Sequence, residues 1–526
     1  MPKLIIDNRE VAVDNGATIL DAAKKLGIEI PTMCFLSGQS PSTSCMICVV
    51  KVEGVDNLLP ACGAVAKDGM RVETCSDEVR EARRTALELQ LSDHVGDCMG
   101  PCQVTCPAHM NIPLMIRQIA GGELGDAIAT VKSDIALPAV LGRICPAPCE
   151  KPCRRSAFDE PVSICLLKRY VADIDIESAK PYLPSRKASQ GKTVAIIGAG
   201  PAGLAAAYYL QQEGLDCTIF DDREEPGGML RYGVPVDELS REVLDKEIAC
   251  VARLGAVFKC GTRVGDQVSL DDLQKDFDAV FVATGQSSID DLNRLGIEAT
   301  QKGIAVDAQT YQTKLAGVFA GGDAVHQRRL TIRAVADGKE AAFSICQYLS
   351  GREATGVTKP FNSRMGKLMD GEVDKFVATV SGAPRIEPSQ AGDGFTDEQA
   401  RGEAARCLRC DCRKAGNCKL RSYAQEYGVR ATRYKGDRRL FEQQLQHPDV
   451  IYEPGKCIDC GLCIKIAAES REELGLSFVG RGFDVRVAVP FDRSIADGLK
   501  LTAAKCVEAC PTAALAFKDS ATARSG

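Results

Sequence analysis

Apolar and polar residues alternate along 3–13, KLIIDNREVAV, with a polar break at Asp7-Asn8. The pattern predicts two short strands around a turn. ATILDAAKKLG (17–27) then predicts a helix, and residues 77–93 a longer connecting helix. The stretch 112–132, IPLMIRQIAGGELGDAIATVK, is also helical in pattern. From Val194 an apolar run, VAII, meets a glycine-rich turn and a second helical stretch. The segments CTIF (217–220) and DAVFV (278–282) predict further buried strands, and Thr331 to Leu349 predicts a helix. PYLPSRKASQGK (181–192) and the Gly-, Ser- and Pro-containing 353–395 predict linkers.

Composition narrows the reading. A chain of 526 residues predicts several domains. A net charge of −6 argues against a nucleic-acid partner. MPKLIIDNRE is not a signal peptide, and no apolar run reaches membrane-spanning length, so a cytoplasmic location is expected. Thiols stay reduced there, so the 25 cysteines, many in short spacings, predict metal sites and not disulfides.

The strand–turn–helix at 194–214 carries Gly198-Ala199-Gly200-Pro201-Ala202-Gly203, a dinucleotide fingerprint in its proper context. Gly198 makes the tight turn. Gly200 lets backbone N–H groups approach a pyrophosphate at the positive helix end, and Gly203 lets helix and strand pack closely. Asp221, 18 residues after Gly203 at the end of the next strand, is placed to accept from a ribose hydroxyl.

The cysteines fall into sets. Cys34, Cys45, Cys48 and Cys62 are spaced C-x10-C-x2-C-x13-C, four thiolates such as a [2Fe–2S] cluster needs, with zinc as the alternative. Cys75 lies outside that spacing and is expected to be a buried thiol. Next come His94, Cys98, Cys102 and Cys106, then Cys145, Cys149 and Cys153. Cys407, Cys410, Cys412 and Cys418 lie within twelve residues and suit a [4Fe–4S] cluster or zinc. Cys457, Cys460, Cys463 and Cys510-Pro511 form a two-cluster ferredoxin pattern with one half missing. Ala467 stands where a ligand belongs, and Cys506 is spare. Cys217, Cys250, Cys260 and Cys346 sit in strand and helix patterns and are expected to pack.

Residues 1–76 resemble the [2Fe–2S] domain of the large iron–sulfur subunit of respiratory complex I and of related iron-only hydrogenases, as does RGFDVRVAVPF at 481–491. The next block resembles the helical iron–sulfur domain of the glutamate synthase small chain and dihydropyrimidine dehydrogenase. The shared residues include Cys106-Pro107, Ile112-Pro113, Gly142-Arg143, Cys145-Pro146, Cys149-Glu150 and Glu160-Pro161-Val162. That resemblance implies two [4Fe–4S] clusters with interleaved ligands. One takes His94, Cys98, Cys102 and Cys153. The other takes Cys106, Cys145, Cys149 and a residue of the helix after Pro161. Two departures stand out. His94 occupies a cysteine position, as a cluster ligand or as a surface histidine. Lys168 replaces a Glu or Gln ligand, and an ammonium cannot ligate iron. Cys165, one turn earlier on the same face, is a substitute ligand or a core cysteine.

PGGMLRYGVP (226–235) resembles a signature of the same family, whose Gly pair and backbone lie against a flavin. It implies cofactor contacts from Gly228, Met229, Leu230 and Arg231. Ala283-Thr284-Gly285 ends a strand. Gly317 to Asp323 resembles the motif whose Asp binds the flavin ribityl chain, here with Gly322, and the helix from Thr331 would point its N-terminus at the flavin. FAD is therefore expected in place of NAD. In the resembled family a complete NAD(P) domain is inserted after this ATG. Here only 17 residues separate Gly285 from Gly303, where such a domain needs on the order of 100.

The expected architecture is multidomain α/β. It comprises a β-grasp [2Fe–2S] ferredoxin domain (1–76), a helical domain with two [4Fe–4S] clusters (77–185), and a Rossmann-like FAD domain without an inserted NAD(P) domain (190–352). A linker (353–395), a cysteine cluster segment (396–430) and a ferredoxin-like [4Fe–4S] domain (431–526) follow. The expected cofactors are FAD, one [2Fe–2S] and about four [4Fe–4S] clusters. The resemblance implies an electron-transfer subunit of an NADH-linked oxidoreductase, relaying or bifurcating electrons. Its partners would be an NADH-oxidising FMN iron–sulfur subunit and a hydrogenase or formate dehydrogenase catalytic subunit, or ferredoxin. No catalytic residue is expected on this chain. The alternative is a stand-alone NAD(P)H-dependent flavoenzyme of the glutamate synthase small-chain type.

Overall fold

Asp7 and Asn8 take left-handed φ values of 46° and 64° and turn the chain back on itself. The strand Lys3–Ile6 thereby pairs antiparallel with Arg9–Ala12, and Ile6 meets Arg9. The same strand runs parallel to Arg71–Glu73, which pairs antiparallel with Val49–Val52. The helix Ile19–Lys25 starts on a reciprocal cap, Thr18 bonding Asp21 and Asp21 bonding back. It buries Ile19, Leu20, Ala22 and Ala23 against Leu4, Ile6 and Val72. This is a β-grasp sheet in the spatial order Arg9–Ala12, Lys3–Ile6, Arg71–Glu73, Val49–Val52, Leu59–Pro60.

The structure is a computed structural model that describes residues 1–390, 392–434 and 436–518. The tail of the expected terminal domain, 519–526, and position 391 of the expected linker lie outside the described residues. The chain divides into two compact units. One contains 1–99, 360–378 and 410–526, and the other 100–359 and 379–409.

In the first unit the β-grasp sheet leads into the helix Asp77–Ser92. Its Leu87 and Leu91 share an apolar cluster with Cys34, Cys45, Cys418, Leu420 and Cys460. The strands Val450–Tyr452 and Leu515–Phe517 pair antiparallel and enclose the helices Leu462–Glu469 and Ala503–Ala509. Part of the expected linker is structured here. The helix Glu372–Val377 presents Phe376, stacked on Phe441 with ring centroids 4.0 Å apart.

The second unit holds the helical block and the nucleotide fold. Gly122 (φ 77°) ends the helix Ile112–Gly121, so the stretch expected as helical becomes two helices, the second being Leu124–Asp134. Five parallel strands follow in spatial order Val318–Ala320, Ala279–Val282, Thr193–Ile197, Asp216–Phe220, Val257–Lys259. The helices Pro201–Gln212 and Thr331–Leu349 pack closely because Gly338 has no side chain. A Cβ there would stand 2.3 Å from the Ala202 carbonyl oxygen. The 17 residues after Gly285 form a short helix, Ile289–Arg294, and a two-stranded ribbon, Ala299–Thr300 with Gly303–Ile304.

The segment expected as one cysteine unit, 396–430, divides. The helix Asp397–Ala404 buries Ala400 and Ala404 in the second unit's core, while Lys419–Glu426 buries Leu420 and Ala424 in the first. Fully buried Arg155 and Arg406 explain the anchoring of the first half. Arg155 donates to the carbonyls of Ser381 (2.7 Å) and Arg406 (3.1 Å), and Arg406 donates to Glu403 (2.6 Å) and Asp159 (3.1 Å). Among the described residues no helix is long and apolar enough to cross a membrane.

Candidate functional site

The glycine loop is shaped for a nucleotide. Gly198 has φ 111°, and a Cβ there would lie 2.3 Å from the Ala283 carbonyl oxygen. A Cβ on Gly203 would lie 2.0 Å from the Gly198 carbonyl oxygen, so helix and strand touch. At Gly200 an added Cβ meets nothing within 4 Å, which leaves open ground in front of the helix Pro201–Gln212. The Ala199 N–H donates to Asp221 Oδ2 at 2.6 Å, and the Arg223 N–H to Oδ1 at 2.9 Å. Each carboxylate oxygen keeps a second lone pair for a ribose hydroxyl.

The neighbouring motifs converge on this loop. A Cβ on Gly228 (φ 52°) would sit 2.8 Å from Gly200 Cα, and one on Gly322 (φ 68°) 2.8 Å from Ala202 Cβ. Asp323 accepts from the Arg329 N–H at 3.2 Å, and Thr331 opens its helix as expected. Thr284 Oγ1 accepts from Ser287. Met229 is 68% exposed. The side chains of two expected contacts face inward. Leu230 is buried in the core, and Arg231 is buried and engaged by the Pro226 carbonyl (2.8 Å) and the Asp245 carboxylate. Both support the loop from within, since an apolar chain and an ion-paired guanidinium are already satisfied there.

The thiols gather in sets. Cys48 Sγ lies 3.4 Å from Cys62 Sγ. Cys34 is hydrogen-bonded to Cys45, which pulls the Cys34 thiol down to about 5 and pushes its partner up. Cys75, expected to be buried, is exposed, in the bend between the central strand Arg71–Glu73 and the helix Asp77–Ser92. Among the described residues no three His, Cys, Asp or Glu side chains converge tightly enough to chelate a single ion. Thiols instead ring wider hollows. Cys457, Cys460, Cys463 and Cys510 line one, and Cys106, Cys145, Cys149 and Cys165 line another. A hollow ringed by four soft sulfur donors suits a polynuclear iron–sulfur group. Cys506 is fully buried with its Sγ turned to Thr502 and the Cys463 carbonyl, away from the hollow.

Cys165 thus joins Cys106, Cys145 and Cys149, one turn before Lys168, the position at which the resembled family has a Glu or Gln ligand. Its N–H donates to Glu150 at 2.9 Å, and Glu150 pairs with Arg385 at 3.3 Å. Lys168 lines the same hollow. Burial disfavours its charged form, yet the four surrounding thiols hold its pKa above the usual lysine value. Ile332, from the helix that starts at Thr331, also lines this hollow.

The remaining thiols do not follow sequence spacing. Cys412 donates its N–H to the Cys98 carbonyl at 3.4 Å, and the Cys98 thiol has Cys412 and Cys418 as electrostatic neighbours. Cys102, Cys153 and Cys407 border the second unit's core instead. His94, Cys98 and Cys412 all feel the buried Lys456 ammonium, which pairs with Glu453 at 2.5 Å. Burial, then Lys456, lowers His94 to about 4, so its imidazole is neutral. Its Nδ1 is buried without a hydrogen-bond partner among the described residues. Arg155, Arg406 and the Glu453–Lys456 pair went unmarked in the sequence, where a buried charge looks like a surface one.

Family models match four stretches. Residues 3–77 match a 2Fe-2S iron–sulfur cluster binding domain, and 73–180 match dihydropyrimidine dehydrogenase domain II, 4Fe-4S cluster. Residues 196–255 match an NAD(P)-binding Rossmann-like domain, and 239–338 a pyridine nucleotide-disulphide oxidoreductase. The chain is 41% identical over 224 residues to the NADP(+)-dependent formate dehydrogenase subunit beta of Moorella thermoacetica, covering 39% of this chain and 31% of that one. It is 38% identical over 216 residues to the NAD-dependent dihydropyrimidine dehydrogenase subunit PreT of Escherichia coli K12, covering 40% and 52%. It is 34% identical over 211 residues to the glutamate synthase [NADPH] small chain of Bacillus subtilis, covering 40% and 42%. The chain thus spans from a third to about half the length of these curated relatives. Among solved structures, an NAD+-reducing [NiFe]-hydrogenase aligns over 100% of this chain and 90% of its own, with 11% identity and a TM-score of 0.37.

Proposed function

We propose that the chain is an electron-transfer flavo-iron–sulfur subunit of an NADH-linked oxidoreductase, passing electrons between an FMN-containing NADH-oxidising partner and a formate dehydrogenase or hydrogenase catalytic subunit, or ferredoxin. The observation that carries it is the succession of thiol sets in the first unit. The loop of the first set is tied to the ferredoxin-like helix by Lys465, which donates to the Ser40 carbonyl at 2.6 Å and Ser42 Oγ at 2.8 Å. Cys34 and Cys460 share one apolar cluster. Lys414 in turn ties the Cys412 loop to the Cys510 carbonyl at 2.7 Å. Adjacent centres embedded in one core are what single-electron transfer needs.

FAD is the cofactor that the glycine loop, Asp221, Gly228 and Asp323 fit. When bound, a flavin exchanges one or two electrons and a cluster exchanges one. Gly200 and the N-terminus of Pro201–Gln212 leave room and positive potential for a pyrophosphate, and Asp221 orients the ribose. Cys34, Cys45, Cys48 and Cys62 would hold [2Fe–2S]. Cys106, Cys145, Cys149 and Cys165, and Cys457, Cys460, Cys463 and Cys510, would each hold [4Fe–4S]. Ile332 joins the first of these hollows to the helix that heads for the flavin.

Anaerobic isolation with flavin, iron and sulfide assay tests this inventory. The eight remaining donors, His94, Cys98, Cys102, Cys153, Cys407, Cys410, Cys412 and Cys418, would hold two more [4Fe–4S] clusters, so one FAD and about 18 iron atoms per chain are expected. About ten iron atoms with zinc present would contradict it. Adding the FMN partner should let NADH reduce the chain, and Cys48→Ala should abolish that route while dithionite still reduces the flavin.

A further inference from the structure

His94 and Cys98 lie on one turn of the first unit, and Cys412 and Cys418 on another. The two turns meet. The Cys412 N–H reaches the Cys98 carbonyl at 3.4 Å, and Cys98 exchanges a second pair of contacts with Ser363, whose N–H donates to Cys98 Sγ at 3.4 Å. Gly96, between His94 and Cys98, lies directly on the stem of Lys456. A Cβ there would stand 2.5 Å from Lys456 Cε. Lys456 is buried and already paired with Glu453, so that carboxylate is not free to ligate. The donors left are three thiols and the unpartnered His94 Nδ1. Four donors are what a cubane cluster takes, and imidazole replaces thiolate in some iron–sulfur centres.

We propose that His94, Cys98, Cys412 and Cys418 together hold one [4Fe–4S] cluster, built from two segments far apart in sequence. The inference rests on the proposed electron-transfer function and deepens it. It separates Cys98 from Cys153, which the resemblance had joined, and Cys412 from Cys407, which the spacing had joined. The site adjoins the Cys510 set through Lys414, so it extends the succession of centres within this unit. Its histidine ligand donates less charge than a thiolate, so this centre sits at a higher potential than an all-cysteine one.

Iron counting on the anaerobically reconstituted full chain tests the grouping. Cys98→Ala and Cys412→Ala should each lose about four iron atoms, and the double variant should lose the same four, with one and the same EPR signal missing. A double variant that loses about eight, with two signals missing, overturns the grouping. A parent chain that itself carries no clusters would instead overturn the electron-transfer reading, so the two failures are distinguishable. Because alanine variants can fail to fold, His94→Cys supplies a second test. It should keep all the iron and lower the midpoint potential of that one signal. An unchanged EPR spectrum and redox titration in His94→Cys would remove His94 from the set.

Discussion

The Ala199 N–H and the Asp221 carboxylate lie 2.6 Å apart, so the acid proposed to orient the nucleotide ribose also braces the glycine loop. One substitution should therefore disturb both. A hydrogen bond to a charged group contributes about 1.5–3 kcal/mol, so Asp221→Ala should weaken FAD binding by about 10- to 100-fold. Flavin release titrations measure it, and unchanged flavin affinity would show that Asp221 does not face the cofactor.

Half-buried Cys165 and fully buried Cys506 each lie near a thiol-lined hollow, but only Cys165 lines one. Cys165→Ala should cost about four iron atoms per chain, while Cys506→Ala should leave the count near 18. Loss of iron from the Cys506 variant would redraw the ferredoxin-like site.

What could be read from sequence was local. Alternation at 3–13 marks a hairpin because one sheet face is buried, and the glycine spacing at 198–203 marks a loop whose backbone must come close to its neighbours. The Cys457, Cys460, Cys463 and Cys510 set was legible because three of its members fall on one short turn. Cys98 with Cys412 was not, since spacing within a segment carries no information about which distant segment meets it. Arg155 and Arg406, which hold Cys407's segment on the helical block, were hidden for the same reason. Lys168 was noticed only as a lost ligand. Its position as a buried charge among four thiols needed the fold.

Lys168 places an ammonium against the hollow of Cys106, Cys145, Cys149 and Cys165. A fixed positive charge favours the reduced, more negative cluster. Lys168→Met, close in volume and uncharged, should lower the midpoint potential of this one centre and leave its iron in place. Potentiometric EPR reads it, and an unchanged potential would mean that the charge is neutralised by its surroundings.

Asp159 should set an acid limb of stability. Hydrogen bonds from Arg155, and then Arg406, hold its carboxyl down at about 2, below the ordinary 3.8. Its contribution is therefore complete above about pH 4 and is lost as the pH falls towards 2. Partial exposure to water keeps this to about 1 kcal/mol. Asp159→Asn should flatten the fall in thermal stability between pH 4 and 2, and an identical fall in both proteins would assign the acid limb elsewhere.

The 17 residues between Gly285 and Gly303 form a short helix and the first strand of a ribbon, where the resembled family carries a nicotinamide-binding domain. Hydride transfer needs the nicotinamide held within roughly 3–3.5 Å of the flavin. Anaerobic rapid mixing of the isolated, flavin-loaded chain with NADH or NADPH, followed in the flavin absorbance band, measures this. The relay reading predicts no appreciable bleaching by either nucleotide, with full reduction by dithionite or reduced ferredoxin. Rapid bleaching by NADH or NADPH without a partner would contradict it and identify a self-sufficient flavoenzyme.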